Sequence, residues 1–354
     1  KVRATDSSGN TSDQTLTVNI NDIYASDATT SSPKFANELF NNSITEEISK
    51  LAFDKHGNYY TLDSNTSWNK PSDYLSLIKY DKNHNKIWTK DFTGLTKDKE
   101  SLNGYDLKIS ENGNIYALLL HQKSTTGGGS GYGYYDSHLF SINENGSVNW
   151  QKQIKADNPW TYNGNGGDRE YAYGRSLVLD ENENIYLIGG FQGTYNGNKS
   201  INHINSFLHK FDKNGSSIAL KIIKGKIGHS SISDIQISDD KNIYIGGYGT
   251  VEGYQNFGQS DIFLAKYDLN LNKKWLKVQG SSGNDFASKI GIDDKNNNIF
   301  LLKTRIYYGA AGEEEVLYRY SNNGNLLSNK SYKKPDYILD LNVNDDGTID
   351  ILSG

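Results

Sequence analysis

Tyr105-Asp106-Leu107-Lys108-Ile109, a turn of Ser110-Glu111-Asn112, and then Gly113-Asn114-Ile115-Tyr116-Ala117-Leu118-Leu119 set two strand-forming runs on either side of a polar break. That is a hairpin signal. The same phrase returns at Gly57-Asn58-Tyr59-Tyr60, Glu183-Asn184-Ile185-Tyr186, Lys241-Asn242-Ile243-Tyr244, Asn297-Asn298-Ile299-Phe300 and Gly347-Thr348-Ile349-Asp350. The steps between copies are 56, 70, 58, 56 and 50 residues. A period of this size with strand content inside each unit marks a repeat architecture. Function is then to be sought in what differs between the copies.

The fourth copy shows the whole unit. Ser233-Asp234-Ile235-Gln236-Ile237 alternates, 239–242 turns, and Ile243-Tyr244-Ile245-Gly246-Gly247 runs back. Asp261-Ile262-Phe263-Leu264-Ala265-Lys266-Tyr267 is a third run, 268–272 turns again, and Lys274-Trp275-Leu276-Lys277-Val278 is the fourth. Period-2 runs between Asn/Asp/Gly clusters predict a four-stranded antiparallel meander. The unit recurs over 48–92, 105–154, 174–223 and 289–332, and a sixth copy over 337–352 stops after its second strand. No useful 3.6-residue periodicity interrupts the pattern.

The expected fold is therefore all-β, a β-propeller of four-stranded antiparallel blades, because radial stacking covers both faces of every sheet. Six blades are favoured, with a seventh if the protein continues past Gly354. Residues 35–40 read as a displaced fourth strand, so strands from both ends are expected to close the ring.

Composition narrows the function classes. With 35% hydrophobic residues, 35 Gly and 25 Tyr, the chain has the material of a folded β protein. A net charge of −5 gives no basic footprint for nucleic acid. No run approaches the roughly 18 apolar residues of a membrane span. The absence of cysteine excludes disulfides, thiolate catalysis and cysteine metal sites. The chain opens mid-pattern at Lys1 and has no Met, so it reads as a piece of a longer protein.

Gly280-Ser281-Ser282-Gly283-Asn284-Asp285-Phe286-Ala287, followed by 290–293 and Asn298-Ile299-Phe300, resembles the bacterial β-propeller repeat known as the SBBP repeat. So does Ile243-Tyr244-Ile245-Gly246-Gly247-Tyr248 with the run 261–268. The resemblance spans roughly 35–354 and implies the fold and an extracellular or bacterial cell-surface setting; the family has no common catalytic residues to carry over. The first two units depart from it, with Leu62-Asp63 and Leu119-Leu120 where later units have Gly-Gly.

Val2-Arg3-Ala4-Thr5-Asp6-Ser7-Ser8-Gly9-Asn10 with Leu16-Thr17-Val18-Asn19-Ile20-Asn21-Asp22 resembles the final hairpin of a cadherin-like domain. The domains then read as 1–24, the C-terminal strands of that module; 25–34, a linker; and 35–354, the propeller. The resemblance implies calcium at the module junction, through Asn21 and Asp22, and no other cofactor.

Candidate sites divide into scaffold and surface. Trp88, Trp150 and Trp275 recur at one place in three units, which predicts packing between blades. The acidic turns at 180–184, 239–242 and 293–297 lack the ligand pattern of a calcium loop and read as tight turns. The seven histidines show no metal-ligand spacing and are expected to be solvated or satisfied. No Ser has a Gly-x-Ser-x-Gly setting.

The functional signal is an asymmetry. Turns at 54–58, 81–85, 143–146, 212–215 and 322–324 are short and alike, and belong to one face of a propeller. Connections on the other face, at 64–70, 126–135, 157–171, 191–205, 249–259 and 305–312, are long and all different. Loops on a rigid scaffold are where binding residues gather. These carry Trp68, Tyr132, Tyr134, Trp160, Tyr162, Tyr195, Tyr254 and Phe257 among amides and hydroxyls, a mixture suited to carbohydrate or a cell-surface protein.

The leading expectation is a non-catalytic binding or spacer module of a large bacterial cell-surface or secreted, adhesin-like protein, joined to flanking modules of the same chain. A lectin-like propeller is the second reading. A propeller enzyme, of polysaccharide lyase or quinoprotein type, is the third, and would show convergent carboxylates or a Tyr with a basic partner near the axis.

Overall fold

The computed structural model describes residues 2–5, 11–14, 47–64, 75–96, 100–123, 134–158, 170–258, 260–304, 315–332, 338–344 and 347–353. The chain divides into two compact units, Lys1–Thr45 and Glu46–Gly354. In the first, β1 (Val2–Thr5) pairs antiparallel with β2 (Thr11–Gln14). The strand expected at 15–20, the linker, the closing strand at 35–40, and Asn21 and Asp22 lie outside the described residues.

The second unit is a succession of antiparallel meanders. The first blade is β3 (Glu47–Phe53), β4 (Tyr59–Ser64), β5 (Leu75–Tyr80) and β6 (Lys86–Asp91). The second is β7 (Ser101–Ile109), β8 (Ile115–Lys123), β9 (Tyr134–Ile142) and β10 (Val148–Ile154). The third is β11 (Tyr171–Leu179), β12 (Ile185–Tyr195), β13 (Asn198–Phe211) and β14 (Ser217–Ile223). The fourth is β15 (Gly225–Ile237), β16 (Asn242–Val251), β17 (Asp261–Asp268) and β18 (Lys273–Gln279). The fifth is β19 (Phe286–Asp293), β20 (Asn298–Thr304), β21 (Glu315–Ser321) and β22 (Leu326–Tyr332), followed by the two-stranded β23 (Ile338–Val343) and β24 (Ile349–Ser353).

Each first strand lies against the first strand of the next blade, from β3 through β23. Five apolar clusters fill the five spaces between successive sheets. Burial falls outward: β5 is buried almost throughout, whereas β22 is exposed along nearly its whole length. These are the properties of a β-propeller. Among the described residues no strand joins β23 and β24 to the first blade, so the expected closure of the ring is not seen there.

One turn design makes ten of the hairpins. A residue with positive φ stands at its fourth position: Gly57, His84, Gly113, Gly146, Glu183, Gly215, Lys241, Leu271, Gly324 or Gly347. In most turns the first residue is Asp or Asn, and its side-chain oxygen accepts backbone N–H bonds from the third and fifth residues. Asp54 does so from His56 and Asn58 at 2.9 and 3.0 Å, and Asp180 from Asn182 and Asn184 at 2.9 Å each. The other carboxylate oxygen takes the Asn side chain, as from Asn58 to Asp54 at 2.8 Å. The recurring Asp and Asn are therefore turn chemistry, as expected.

The repeated tyrosine seals the same turn. Tyr60 and Tyr186 donate their hydroxyls to Asp54 at 3.2 Å and Asp180 at 2.9 Å. In the second blade the first turn residue is Ser110, too short to reach, and Glu183 of the third blade substitutes. Its carboxylate accepts from Asn112, Asn114 and Tyr116 at 2.6, 2.9 and 2.8 Å.

The tryptophans lie between blades. Trp88, Trp150 and Trp275 donate their indole N–H to turn carbonyls of the following blade: Glu144 at 3.0 Å, Lys213 at 2.7 Å and Asn322 at 3.0 Å. Each indole also covers the positive-φ glycine of that turn, where a Cβ would come within 3.3 Å (Gly146), 3.1 Å (Gly215) and 2.9 Å (Gly324) of the ring.

Close approach also explains one Gly-Gly pair. A Cβ on Gly247 would stand 2.2 Å from the Ser231 carbonyl oxygen and 2.4 Å from Phe263 Cζ. Gly247→Ala is expected to cost about 3 kcal/mol or more, since backbone has to move, and a thermal or urea midpoint checks it.

Candidate functional site

Of the expected ligand-facing aromatics, Trp68, Tyr132, Trp160 and Tyr162 lie outside the described residues, and Tyr134 is the first residue of β9. Tyr254 and Phe257 stand on the connection from β16 to β17. Lys273 Nζ bonds the Tyr254 hydroxyl at 2.9 Å, and Phe257 is 48% exposed.

Tyr195 is a correction: it is 3% exposed and stacks on Phe207 at 4.6 Å between ring centres. The segment read as a loop over 191–205 is instead strand, because β12 and β13 continue to a two-residue turn at Asn196-Gly197, both with positive φ. The Tyr195 hydroxyl meets His209 Nδ1 at 2.9 Å, and Ser217 meets Nε2 at 2.7 Å. Burial, with help from Lys152, pushes the His209 pKa down to about 4, so this is a satisfied neutral histidine.

Two groups of residues stand out that the loops did not reveal. The first lies where the first strands of the second, third and fourth blades meet. Tyr135 on β9 and Tyr171 and Tyr173 on β11 form a triangle of rings 6.1–6.3 Å apart. All three are half-buried, and Tyr248 on β16 packs edge-on against Phe286 at 4.9 Å. β7 and β11 each carry a bulge in their pairing, which leaves Tyr105 and Arg175 as the extra residues. Arg175 donates to Ser231 Oγ at 3.2 Å. Burial pushes the Tyr105 and Tyr173 hydroxyls up, and the nearby Arg175 cation only partly opposes this. The tyrosines lie at strand ends that bound the long connections. The alternation Tyr171-Ala172-Tyr173 was the available signal.

The second group departs from the repeat. His121 on β8 is paired with Asp136 on β9, and Leu119 with His138. The corresponding pairs are Phe191–Asn205 and Gly189–Phe207 in the third blade, and Gly249–Asp261 and Gly247–Phe263 in the fourth. There Gly makes room for Phe; in the second blade Leu stands opposite His.

His121, Asp136 and His138 are 3%, 4% and 7% exposed, at the long-connection end of the space between the first two blades. His121 Nδ1 is 3.3 Å from Asp136 Oδ1 and 3.4 Å from His138 Nε2, which is 3.7 Å from the same oxygen. Their outer atoms are held as well. Glu100 reaches His121 Nε2 at 3.0 Å, the Gln151 amide lies 2.9 Å from His138 Nδ1, and Gln153 donates to Asp136 Oδ2 at 2.7 Å.

No family model matches the sequence, and no curated protein matches it either. Solved structures do resemble it. A GH74 enzyme from Niastella koreensis aligns with a TM-score of 0.51 at 15% identity, over 87% of this chain and 44% of that one, so the chain spans less than half of that protein. The β-propeller domain of the Trilobed protease from Pyrococcus furiosus aligns at 12% identity with a TM-score of 0.47, over 86% and 77% of the two chains. A protein of unknown function from Bacteroides caccae aligns at 9% identity with a TM-score of 0.43, over 82% and 83%. At these identities the likeness concerns the fold alone: a β-propeller.

Proposed function

We propose that this chain is a non-catalytic binding module of an extracellular or bacterial cell-surface protein of adhesin type, which holds carbohydrate or a cell-surface protein on the face of its long connections. The observation that carries the reading is the half-buried cluster Tyr135, Tyr171 and Tyr173 at those strand ends, with Arg175 beside it. Flat aromatic rings with neutral hydroxyls stack on and donate hydrogen bonds to a ligand at low entropic cost. The SBBP-type resemblance and the cadherin-like hairpin support a modular surface protein.

A Tyr with a basic partner is also what a lyase would need. Both Tyr105 and Tyr173 are pushed up, however, toward the protonated form that binds rather than the phenolate that abstracts a proton.

The test is surface plasmon resonance of the chain against an immobilised panel of neutral and carboxylated oligosaccharides and against intact bacterial and host cells. Tyr171→Ala, Trp160→Ala and Trp68→Ala together are expected to weaken the strongest response roughly tenfold or more with unchanged circular dichroism. Full binding by that variant would remove the long-connection face from the reading.

A further inference from the structure

We propose that His121, Asp136 and His138 form a binding site for a single divalent transition-metal ion of the zinc class. The three facing atoms make a triangle with edges of 3.3, 3.4 and 3.7 Å. Ordinary N–H···O bonds close to about 2.9–3.0 Å, so the triangle is wide for a hydrogen-bonded network. Ligand atoms about 2.0–2.1 Å from a common tetrahedral metal stand about 3.3–3.4 Å from one another, which is the size of the two shorter edges.

The surroundings agree with this assignment. A metal-bound imidazole needs its other nitrogen held by a carboxylate or amide, and a bound carboxylate needs its second oxygen occupied. Glu100 faces His121 Nε2 at 3.0 Å and Gln153 donates to Asp136 Oδ2 at 2.7 Å. The Gln151 amide stands 2.9 Å from His138 Nδ1 with its nitrogen toward the ring, and metal binding through Nε2 requires that amide turned over so that its oxygen accepts the Nδ1 proton. Two imidazole nitrogens and one carboxylate disfavour calcium and magnesium, which take oxygen ligands, and favour zinc, cobalt or nickel. Three protein ligands leave one position for water or a ligand oxygen.

Chain geometry gives the ion a purpose. His121 stands two residues before the end of β8, and Asp136 two residues after the start of β9. A metal there pins the two strands at the base of the connection 124–133, part of the face that carries the variable segments. Among the described residues, the matching pairs of the third and fourth blades hold no histidine.

The experiment uses the intact chain, freed of metal with a chelator and titrated with Zn²⁺ and separately with Co²⁺. One Zn²⁺ per chain by calorimetry, and mid-visible d–d absorption of four-coordinate Co²⁺, are expected, with no displacement by a hundredfold excess of Ca²⁺. His121→Gln with His138→Gln is expected to abolish both signals while circular dichroism stays that of the parent. Glu100→Gln is expected to keep the stoichiometry and weaken affinity about tenfold. Failure of the parent chain to take up stoichiometric Zn²⁺ and give the Co²⁺ spectrum would overturn the proposal. So would undiminished binding by the folded double histidine variant, which would mean an adventitious surface ion.

Discussion

Asp106→Asn is expected to lower the stability of the propeller by about 2–4 kcal/mol, read as a shift of the urea midpoint at neutral pH. Asp106 follows the β7 bulge and is buried, yet four donors converge on it. Its own strand supplies Leu107 N at 2.8 Å and Lys108 Nζ at 3.0 Å. The third blade supplies Ser176 Oγ at 2.6 Å and Leu177 N at 2.8 Å. An asparagine offers one oxygen and turns an NH₂ group toward donors, so at least one buried N–H loses its acceptor. The corresponding Asp234 joins the fourth blade to the fifth through Ile290 N at 2.9 Å.

The sign of the pH dependence follows. Burial alone would push the Asp106 carboxyl up, but Lys108, Ser176 and Leu177 together hold it below the usual carboxylate range. A group depressed in the folded state contributes its stability above the unfolded pKa of about 3.9, and that contribution is lost as pH falls through the folded value. The parent should therefore lose stability below about pH 4 more steeply than the Asn variant. Parallel acid limbs would show that Asp106 does not carry this linkage.

The second large effect concerns an exchange between blades. Where Trp88, Trp150 and Trp275 cover a glycine of the next blade, the third blade has Ala219, paired with Lys210 as Trp88 is with Lys79. The turn that follows has Leu271 instead of glycine, fully buried at φ 62, in the cluster against which Ala219 packs. Leu271 thus fills from below the volume the indoles fill from above, at a backbone cost of about 1 kcal/mol.

Ala219→Trp alone should overpack the space and cost about 1–3 kcal/mol. Leu271→Gly alone should leave a cavity and cost about 2–4 kcal/mol, partly offset by relief of the backbone. The two together should come within about 1 kcal/mol of the parent, with a coupling of about 2 kcal/mol or more. Simple additivity of the two changes would show that they do not share one volume.

The sheets, turns and inter-blade tryptophans were legible because each rests on local chemistry that repeats: period-2 strands, Asp and Asn at fixed turn positions, one large ring at one register. Tyr195 was misplaced because the Asn196-Gly197 hairpin signal lay inside a segment judged by its length rather than its turn chemistry. The tyrosine cluster was hidden because its members come from two blades that only stacking brings together. His121, Asp136 and His138 escaped for a related reason. In an antiparallel ladder the neighbour of residue 121 is set by the register across a connection, at 136, so no helix-like ligand spacing exists to be found.

The turn design has a chemical consequence for the lifetime of the chain. Asn112-Gly113, Asn145-Gly146, Asn214-Gly215 and Asn323-Gly324 are the sequence in which asparagine most readily deamidates, by attack of the glycine nitrogen on the preceding side-chain carbonyl. In the fold each of those glycine N–H groups is committed to the first carbonyl of its turn, at 2.9, 2.9, 2.9 and 2.8 Å, and the backbone is locked away from the cyclic imide. The hydrogen bond that shapes the hairpin thereby also protects it from ageing. A chain that unfolds loses both together.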